Sequence, residues 1–484
     1  MKFTLYLLLL STSGILVAQP SHPAANAGAK NNTVHKSTLS GKAISACGSI
    51  TSPGDYYLSK NLSCPGTALL LSGPGINLNL NGYTITYGTS GGASGAVFGI
   101  ENDACWDLDQ KIETVPCDNK NAGIGAVIYG GSVVQSTKAP AFSHAFFFGQ
   151  DDNTNQVINV HNVTITVQQP GTEAFLSSFQ SGQIVLEQNT IHDNVKSINH
   201  PGQSDEGARA EFQGQALFIN NSVKMVSPDR IDNNKIVGSP QGGIRDTSTG
   251  ATIYDNDISQ NATYSNDFCV DVPGMGEQVY SNYCHPVNGR GIHVNGQNSH
   301  IYNNDIVVTE AAVNAEYGGC EGGGAFAVQI EDDIEAAGNT LVSGNKGTLN
   351  TGACGGAALR MTGWVSGSPA TVQGNTWTVN KTSGADDFGG LLYSVDASNL
   401  ANVKFGGDTL HTTDQFCAGI DWDGAQNFTA SLAGCSAPHA IGVITSLGTN
   451  NTFKMTGAPN NVLVCGLQTE ATGTINGTTV RCTK

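Results

Sequence analysis

Ile231-Asp232-Asn233-Asn234-Lys235-Ile236, Ile253-Tyr254-Asp255-Asn256-Asp257-Ile258 and Ile301-Tyr302-Asn303-Asn304-Asp305-Ile306 are three copies of one phrase. An apolar residue, a polar turn containing Asn, and a second apolar residue recur in each. Related phrases occur upstream, at Leu78-Asn79-Leu80-Asn81-Gly82-Tyr83-Thr84-Ile85 and at Val185-Leu186-Glu187-Gln188-Asn189-Thr190-Ile191. Asn234, Asn256, Asn282 and Asn304 stand 22, 26 and 22 residues apart, and Asn339 and Asn375 follow at 35 and 36. A period in the twenties built from β-branched residues and Asn/Gly turns describes a coil that cannot bury its own apolar face and must stack on copies of itself. Stacked coils pair through backbone hydrogen bonds about 4.8 Å apart. Asn suits the corner because it tolerates a left-handed turn and because stacked amides bond to one another. The sequence therefore predicts an all-β chain, a right-handed parallel β-helix (β-solenoid) with short local disulfides. The dense leucine spacing and helical half of leucine-rich repeats are missing, and the hairpin turns of sandwiches and propellers are few.

Composition and ends set the context. Lys2, the apolar run Phe3–Leu10 and the later Ile15, Leu16, Val17 and Ala18 read as a cleavable signal peptide over 1–18. That run is too short, and too interrupted by Ser11, Thr12 and Ser13, to span a bilayer. Residues 19–43 read as a flexible leader, 44–440 as the β-helix and 441–484 as a C-terminal coil or cap. The chain is thus expected to be secreted or periplasmic, monomeric and not inserted in a membrane. Twelve cysteines in such a chain favour disulfides over metal sites. A fold of local coils pairs neighbours: Cys47/Cys64, Cys105/Cys117, Cys269/Cys284, Cys320/Cys354, Cys417/Cys435 and Cys465/Cys482. The net charge of −17 argues against nucleic acid, since phosphate binding draws on a surplus of Lys and Arg.

Cys47-Gly48-Ser49-Ile50-Thr51-Ser52-Pro53-Gly54-Asp55-Tyr56-Tyr57-Leu58, running on to the Leu78–Ile85 phrase, resembles the first coils of the right-handed parallel β-helix proteins of the pectate-lyase-like superfamily. The resemblance covers roughly residues 44 to 440. It implies a carbohydrate-active protein: many members cut acidic polysaccharides by β-elimination or hydrolysis, others epimerise sugars, and some only bind. Named catalytic motifs do not carry over. Of the Asn-Thr-Asp, Asp-Asp, Gly-His-Gly and Arg-x-Lys segments of polygalacturonase-like hydrolases, Asp151-Asp152 alone is matched. The Asp-Pro-His of alginate epimerases is absent, and Cys284-His285-Pro286 does not replace it.

The register of the repeats supplies a separate route to a site. Aligning the strand before each Asn turn on its inward apolar residue gives Val223-Lys224-Met225, Ile244-Arg245-Asp246, Val270-Asp271-Val272 and Ile292-His293-Val294. Val328-Gln329-Ile330, Leu359-Arg360-Met361, Leu392-Tyr393-Ser394 and Ile420-Asp421-Trp422 continue the series. The residue beside an inward one points outward. One outward column then reads Lys224, Arg245, Asp271, His293, Gln329, Arg360, Tyr393, Asp421. Arg pairs bidentately with sugar carboxylates, a carboxylate between cations stays ionised, and His moves protons near neutral pH. Arg245, Asp271, His293, Lys224 and Arg290 are the catalytic candidates; Asp246, Asp267, Gln329, Arg360 and Tyr393 are the substrate-binding ones. Gly289 and Gly291 keep bulk low beside Arg290 and His293.

No resident metal or cofactor is specified, although Glu331-Asp332-Asp333 with Glu335, and Asp421 with Asp423, are carboxylate groups of the kind that takes Ca²⁺. Trp106, Trp364, Trp377 and Trp422 are candidates for stacking on sugar rings. The leading expectation is a lyase cleaving a uronate-containing polysaccharide. A glycoside hydrolase using Asp246, Asp267 and Asp271 is the second, needing two carboxylates about 5–10 Å apart. A non-catalytic adhesive β-solenoid, with the same residues as an ordinary solvated face, is the third.

Overall fold

In a computed structural model the chain is a parallel β-helix. The structure describes most of residues 40–483; residues 1–39, 103–123, 150–155, 195–214, 222–227, 262–267, 311–324, 331–338, 362–369, 381–390, 395–402, 422–428, 444–451, 456–462, 466–469, 484 and several one- to four-residue loops are outside the description. The expected signal peptide over 1–18 and residues 19–39 of the expected leader lie outside the described residues.

Each coil contributes three short strands, and each strand pairs in parallel with its counterpart one coil away. The first row includes Arg230–Asp232, Thr252–Tyr254, Gln278–Tyr280 and His300–Tyr302. The second includes Lys235–Ser239, Asp257–Asn261, Tyr283–Val287 and Asp305–Thr309. The third includes Gly242–Asp246, Phe268–Val272, Arg290–Val294, Ala325–Ile330 and Gly356–Met361. Upstream, Ala126–Gln135 and Val157–Val167 are long enough for each to serve both the first and second rows. The parallel winding passes residue 440, with His439–Val443 pairing to Leu463–Cys465, and the chain closes on an antiparallel hairpin of Glu470–Ile475 with Thr478–Thr483.

Inside, Ile231, Ile253, Val279, Ile301, Val342 and Val372 stack as one fully buried column, and Ile236, Ile258, Cys284 and Ile306 as another. A single coil exposes half of such a surface; stacking buries it, at about 25 cal/mol per Å² of apolar area.

The corner between the first and second rows is held by a ladder of buried amides. Asn189, Asn234, Asn256, Asn282, Asn304, Asn345 and Asn375 each donate a side-chain N–H to the Oδ1 of the next, at 2.9–3.0 Å, and Asn375 donates to Asp408 at 3.1 Å. The other N–H of Asn282 goes to the Ile253 carbonyl, and that of Asn304 to Val279. Each amide thus bonds to the coils on both sides. Asp408 ends the ladder as a pure acceptor, also taking the Trp377 indole N–H at 2.9 Å. Trp377 is therefore buried and no sugar platform.

Two details depart from the expected corner. The residue in the left-handed region is the one before the ladder Asn: Asn233, Asp255, Ser281 and Asn303 have φ of 53–56°, with Gly344, Gly374 and Gly407 following. After Asn304 the ladder continues at Asn345; Asn339 lies outside it, bonding through its side chain to Asn298. Both asparagines follow the long stretch of chain after Asp305–Thr309, and spacing alone does not choose between them.

Three disulfides are present among the described residues, Cys47–Cys64, Cys269–Cys284 and Cys417–Cys435, all between neighbours in sequence. Cys105, Cys117, Cys320 and Cys354 lie outside the described residues, as do the side chains of Cys465 and Cys482.

Asn282→Ala removes the donors for the Ile253 carbonyl and for Asn304, and the acceptor for Asn256, all in a dry interior. A loss of about 2–5 kcal/mol is expected in urea unfolding. Asn77→Ala removes an exposed bond to Asp55 and is expected to stay within about 0.5 kcal/mol.

Candidate functional site

The third row carries the polar column. Its register pairs Arg245 with Asp271, Asp271 with His293, His293 with Gln329 and Gln329 with Arg360. The neighbours Ile244, Val270, Ile292, Val328 and Leu359 are fully buried, so alternation turns the column outward.

At its centre Asp271 is clasped from both sides. Arg245 Nη1 lies 3.1 Å from Asp271 Oδ2, and His293 Nδ1 lies 2.9 Å from Oδ1. The Asp271 side chain is 9% exposed, that of His293 12% and that of Arg245 16%. In so shielded a place, losing one partner costs more than at a surface bridge, because the other charge is left buried without its counter-charge.

A second set begins three residues earlier in each strand and lies mostly beneath the surface: Phe326 is fully buried, Arg290 is 5% exposed and Phe268 is half-buried. Phe268 pairs in register with Arg290, and Phe326 occupies the next coil. The His293 ring stacks on Phe268 with centroids 4.5 Å apart. The Arg290 guanidinium lies 5.4 Å from the Phe268 centroid and 5.2 Å from that of Phe326, while Arg360 lies 5.0 Å from Phe326 on its other side. Arg290 also donates to Gln329 Oε1 at 3.2 Å. Cations and aromatic faces alternate along the axis, each arginine resting on a ring quadrupole. Phe268 and Phe326 escaped the sequence reading. Their signal was available: they precede Asp271 and Gln329 by the three residues that separate Arg290 from His293.

Two expected members hold their register but are closed off from solvent, Gln329 at 1% exposure and Arg290 at 5%, and several others lie elsewhere. Asp246 follows outward Arg245 and so points inward; it is fully buried, its Oδ1 accepts the Ser248 N–H at 2.8 Å, and burial pushes its carboxyl up to about 6. It is not a substrate-facing residue. In the coil assigned to Lys224, the residue paired with Arg245 is Phe218, because the strand there is Gln215–Asn221; Lys224 itself lies outside the described residues, as does Asp267. Tyr393 is displaced by one position. Arg360 pairs with Leu392, and Tyr393 with buried Met361. Leu391, Leu392 and Tyr393 show no apolar–polar alternation from which to read the register. Asp421 is displaced by two, pairing with Ser394, while Gly419 pairs with Leu392. Gly291 serves packing: a Cβ there would sit 2.0 Å from the Ala327 carbonyl oxygen and 2.7 Å from the Ile306 side chain. His285 stands on the second row, 3.6 Å from Asp257. Glu331, Asp332, Asp333, Glu335 and Asp423 lie outside the described residues, together with Trp106, Trp364, Trp422 and Gly289.

Further along the third row, His144 and Glu173 form another pair, with Nδ1 and Oε2 2.6 Å apart, but both are nearly closed off from solvent. The Arg245–Arg360 stretch is therefore the better candidate.

No family model matches this sequence, and no curated protein does. Among solved structures, the crystal structure of PfbA, a surface adhesin of Streptococcus pneumoniae, is similar at 13% identity with a TM-score of 0.30, covering 87% of this chain and 80% of that one. So loose an overlap carries no inference about function.

The clasp predicts a contrast. Asp271→Ala leaves Arg245 shielded without its carboxylate and is expected to cost about 2–4 kcal/mol in urea unfolding. Lys235→Ala breaks a bridge to Asp257 whose partners are both about half exposed and is expected to cost under about 0.5 kcal/mol.

Proposed function

We propose that this protein is an extracellular β-solenoid whose third-row face holds an acidic polysaccharide without cutting it. One observation carries the reading. Among the described residues between Arg245 and Arg360, the face brings three guanidinium groups and His293 together with the carboxylate of Asp271, in a chain whose net charge is −17. A cationic strip on an acidic protein favours a carboxylated polymer, since arginine forks match carboxylates. The repeat distance of about 4.8 Å between coils extends the strip along the axis, as a linear ligand requires. The three disulfides suit an oxidising, extracellular setting.

The case for holding over cutting rests on the carboxylates. Hydrolysis needs two on the ligand side. Of the three candidates, Asp246 faces the interior and Asp271 is engaged by Arg245 and His293 at once, while Asp267 lies outside the described residues.

A lyase is the second reading, and His293 favours it. An imidazole held through Nδ1 by a carboxylate is oriented as general bases are, and Arg245 or Arg360 would neutralise the uronate carboxylate.

Affinity electrophoresis in gels containing polygalacturonate or alginate, run beside a neutral glucan, tests the proposal. Retardation in the polyuronate gels is expected, without the ultraviolet absorbance of unsaturated uronates on prolonged incubation. Arg290→Gln with Arg360→Gln is expected to weaken retention at least tenfold. Unsaturated products that vanish in His293→Ala would establish the lyase instead; equal mobility in all gels would remove both readings.

A further inference from the structure

Three successive coils carry a tyrosine at the same place. Tyr254, Tyr280 and Tyr302 each follow the inward apolar residue of a first-row strand, Ile253, Val279 and Ile301, and each stands just before the left-handed corner residue. Alternation therefore turns all three rings outward. The parallel register sets them one above another, pairing Tyr254 with Tyr280 and Tyr280 with Tyr302. The rings lie face to face. Their centroids are 5.0 Å apart with planes 4° from parallel in the first pair, and 4.8 Å apart at 11° in the second. All three side chains are half-buried.

Stacking spends the ring faces on one another, so the column offers solvent its ring edges and phenol oxygens. A sugar ring finds no open face on Tyr280. Those edges carry the carbons ortho to oxygen, where a phenoxyl radical holds much of its unpaired density. Each phenol keeps its proton at neutral pH. Burial first, then the Asp232 carboxylate, raises Tyr254 above the ordinary phenol range; burial first, then the neighbouring phenols, raises Tyr280; burial raises Tyr302. Asp232 pairs with Tyr254 in register and accepts its hydrogen bond, so a base stands ready for that proton when an electron leaves.

We propose that this stack is an oxidative crosslinking site, at which hydrogen peroxide and a haem peroxidase join Tyr280 to Tyr254 or Tyr302 through an ortho–ortho carbon bond. Each of the two phenols gives up one electron and its phenolic proton and becomes a phenoxyl radical. The radicals couple at one Cε of each ring, and the hydrogen on each of those carbons then moves to oxygen, restoring both phenols. Two electrons and two protons leave in all, and they reduce one peroxide to two waters. The stack holds the partners together before either radical forms, which replaces a chance encounter with an intramolecular step. Rotation of the half-buried rings about χ1 and χ2 closes the remaining distance. One crosslink uses Tyr280 and one neighbour, and it ties two successive coils covalently on the first row.

The test treats the full-length chain with a plant haem peroxidase and hydrogen peroxide, read by dityrosine fluorescence and by mass spectrometry of proteolytic fragments. The expected product is a monomer lighter by two hydrogens, with the fragment holding Tyr280 joined to the one holding Tyr254 or Tyr302. Its fluorescence per chain is expected to stay constant over about a tenfold dilution of the protein. Tyr280→Phe keeps the ring but leaves Tyr254 and Tyr302 two coils apart, and is expected to lower the monomer fluorescence about tenfold. Tyr283→Phe, which removes a more exposed phenol at 41%, is expected to keep it. Absence of any crosslink, a join through Tyr283, product found only as dimers and fading on dilution, or full fluorescence in Tyr280→Phe would each overturn the proposal. Fragment mapping on the parent chain decides even where Tyr280→Phe fails to fold.

Discussion

The rest of the molecule depends on the buried amide ladder from Asn189 to Asp408. Each Asn has two side-chain N–H groups and one carbonyl oxygen, and in the ladder these connect a coil to the coils on either side. The Oδ1 also takes a backbone N–H, as when Asn256 donates to Asn282 at 3.1 Å. None of these groups has water to fall back on, so a coil one residue out of register would strand several donors and acceptors together. Apolar columns alone are more forgiving, because Ile and Val slide past one another at little directional cost. The ladder converts a generally sticky stack into one with a defined register.

That register is what creates the outward face. Arg245, Asp271 and His293 come from strands separated by more than twenty residues in sequence, yet they form one clasp because their coils are pinned at the opposite corner. Phe268, Arg290, Phe326 and Arg360 are aligned by the same pinning. Arg290 and Arg360 rest against the rings of Phe268 and Phe326, while Arg245 is held by Asp271. On the function proposed, this strip on a chain with a large acidic excess is the charge contrast that would steer an anionic polymer toward one side of the solenoid.

The fold was legible in the sequence because its controlling element is a repeated residue with one chemical purpose. The Asn234–Asn256–Asn282–Asn304 series marks the corner, and the inward Ile and Val around it mark the strands. Legibility failed where the pattern loses contrast. Asn339 and Asn345 are both asparagines near a long insertion, and only contacts separate them. Leu391-Leu392-Tyr393 offers no alternation, so Tyr393 was placed a residue away from its true register. Asp246 was read as a surface acid because acids usually are; its strand position, next to outward Arg245, said the reverse. Phe268 and Phe326 were missed for the opposite reason, since aromatic residues in an apolar repeat pass as core. The half-turn of backbone that brings a second set beside the first is a three-dimensional fact.

Hydrogen exchange measured by mass spectrometry, with and without a uronate oligosaccharide, tests the central claim most directly. The account predicts that added protection concentrates in 242–246, 268–272, 290–294, 325–330 and 356–361, five segments scattered in sequence and contiguous on the third row. Protection that falls instead on the Tyr254, Tyr280 and Tyr302 side of the coil, or spreads evenly over all three rows, would contradict it.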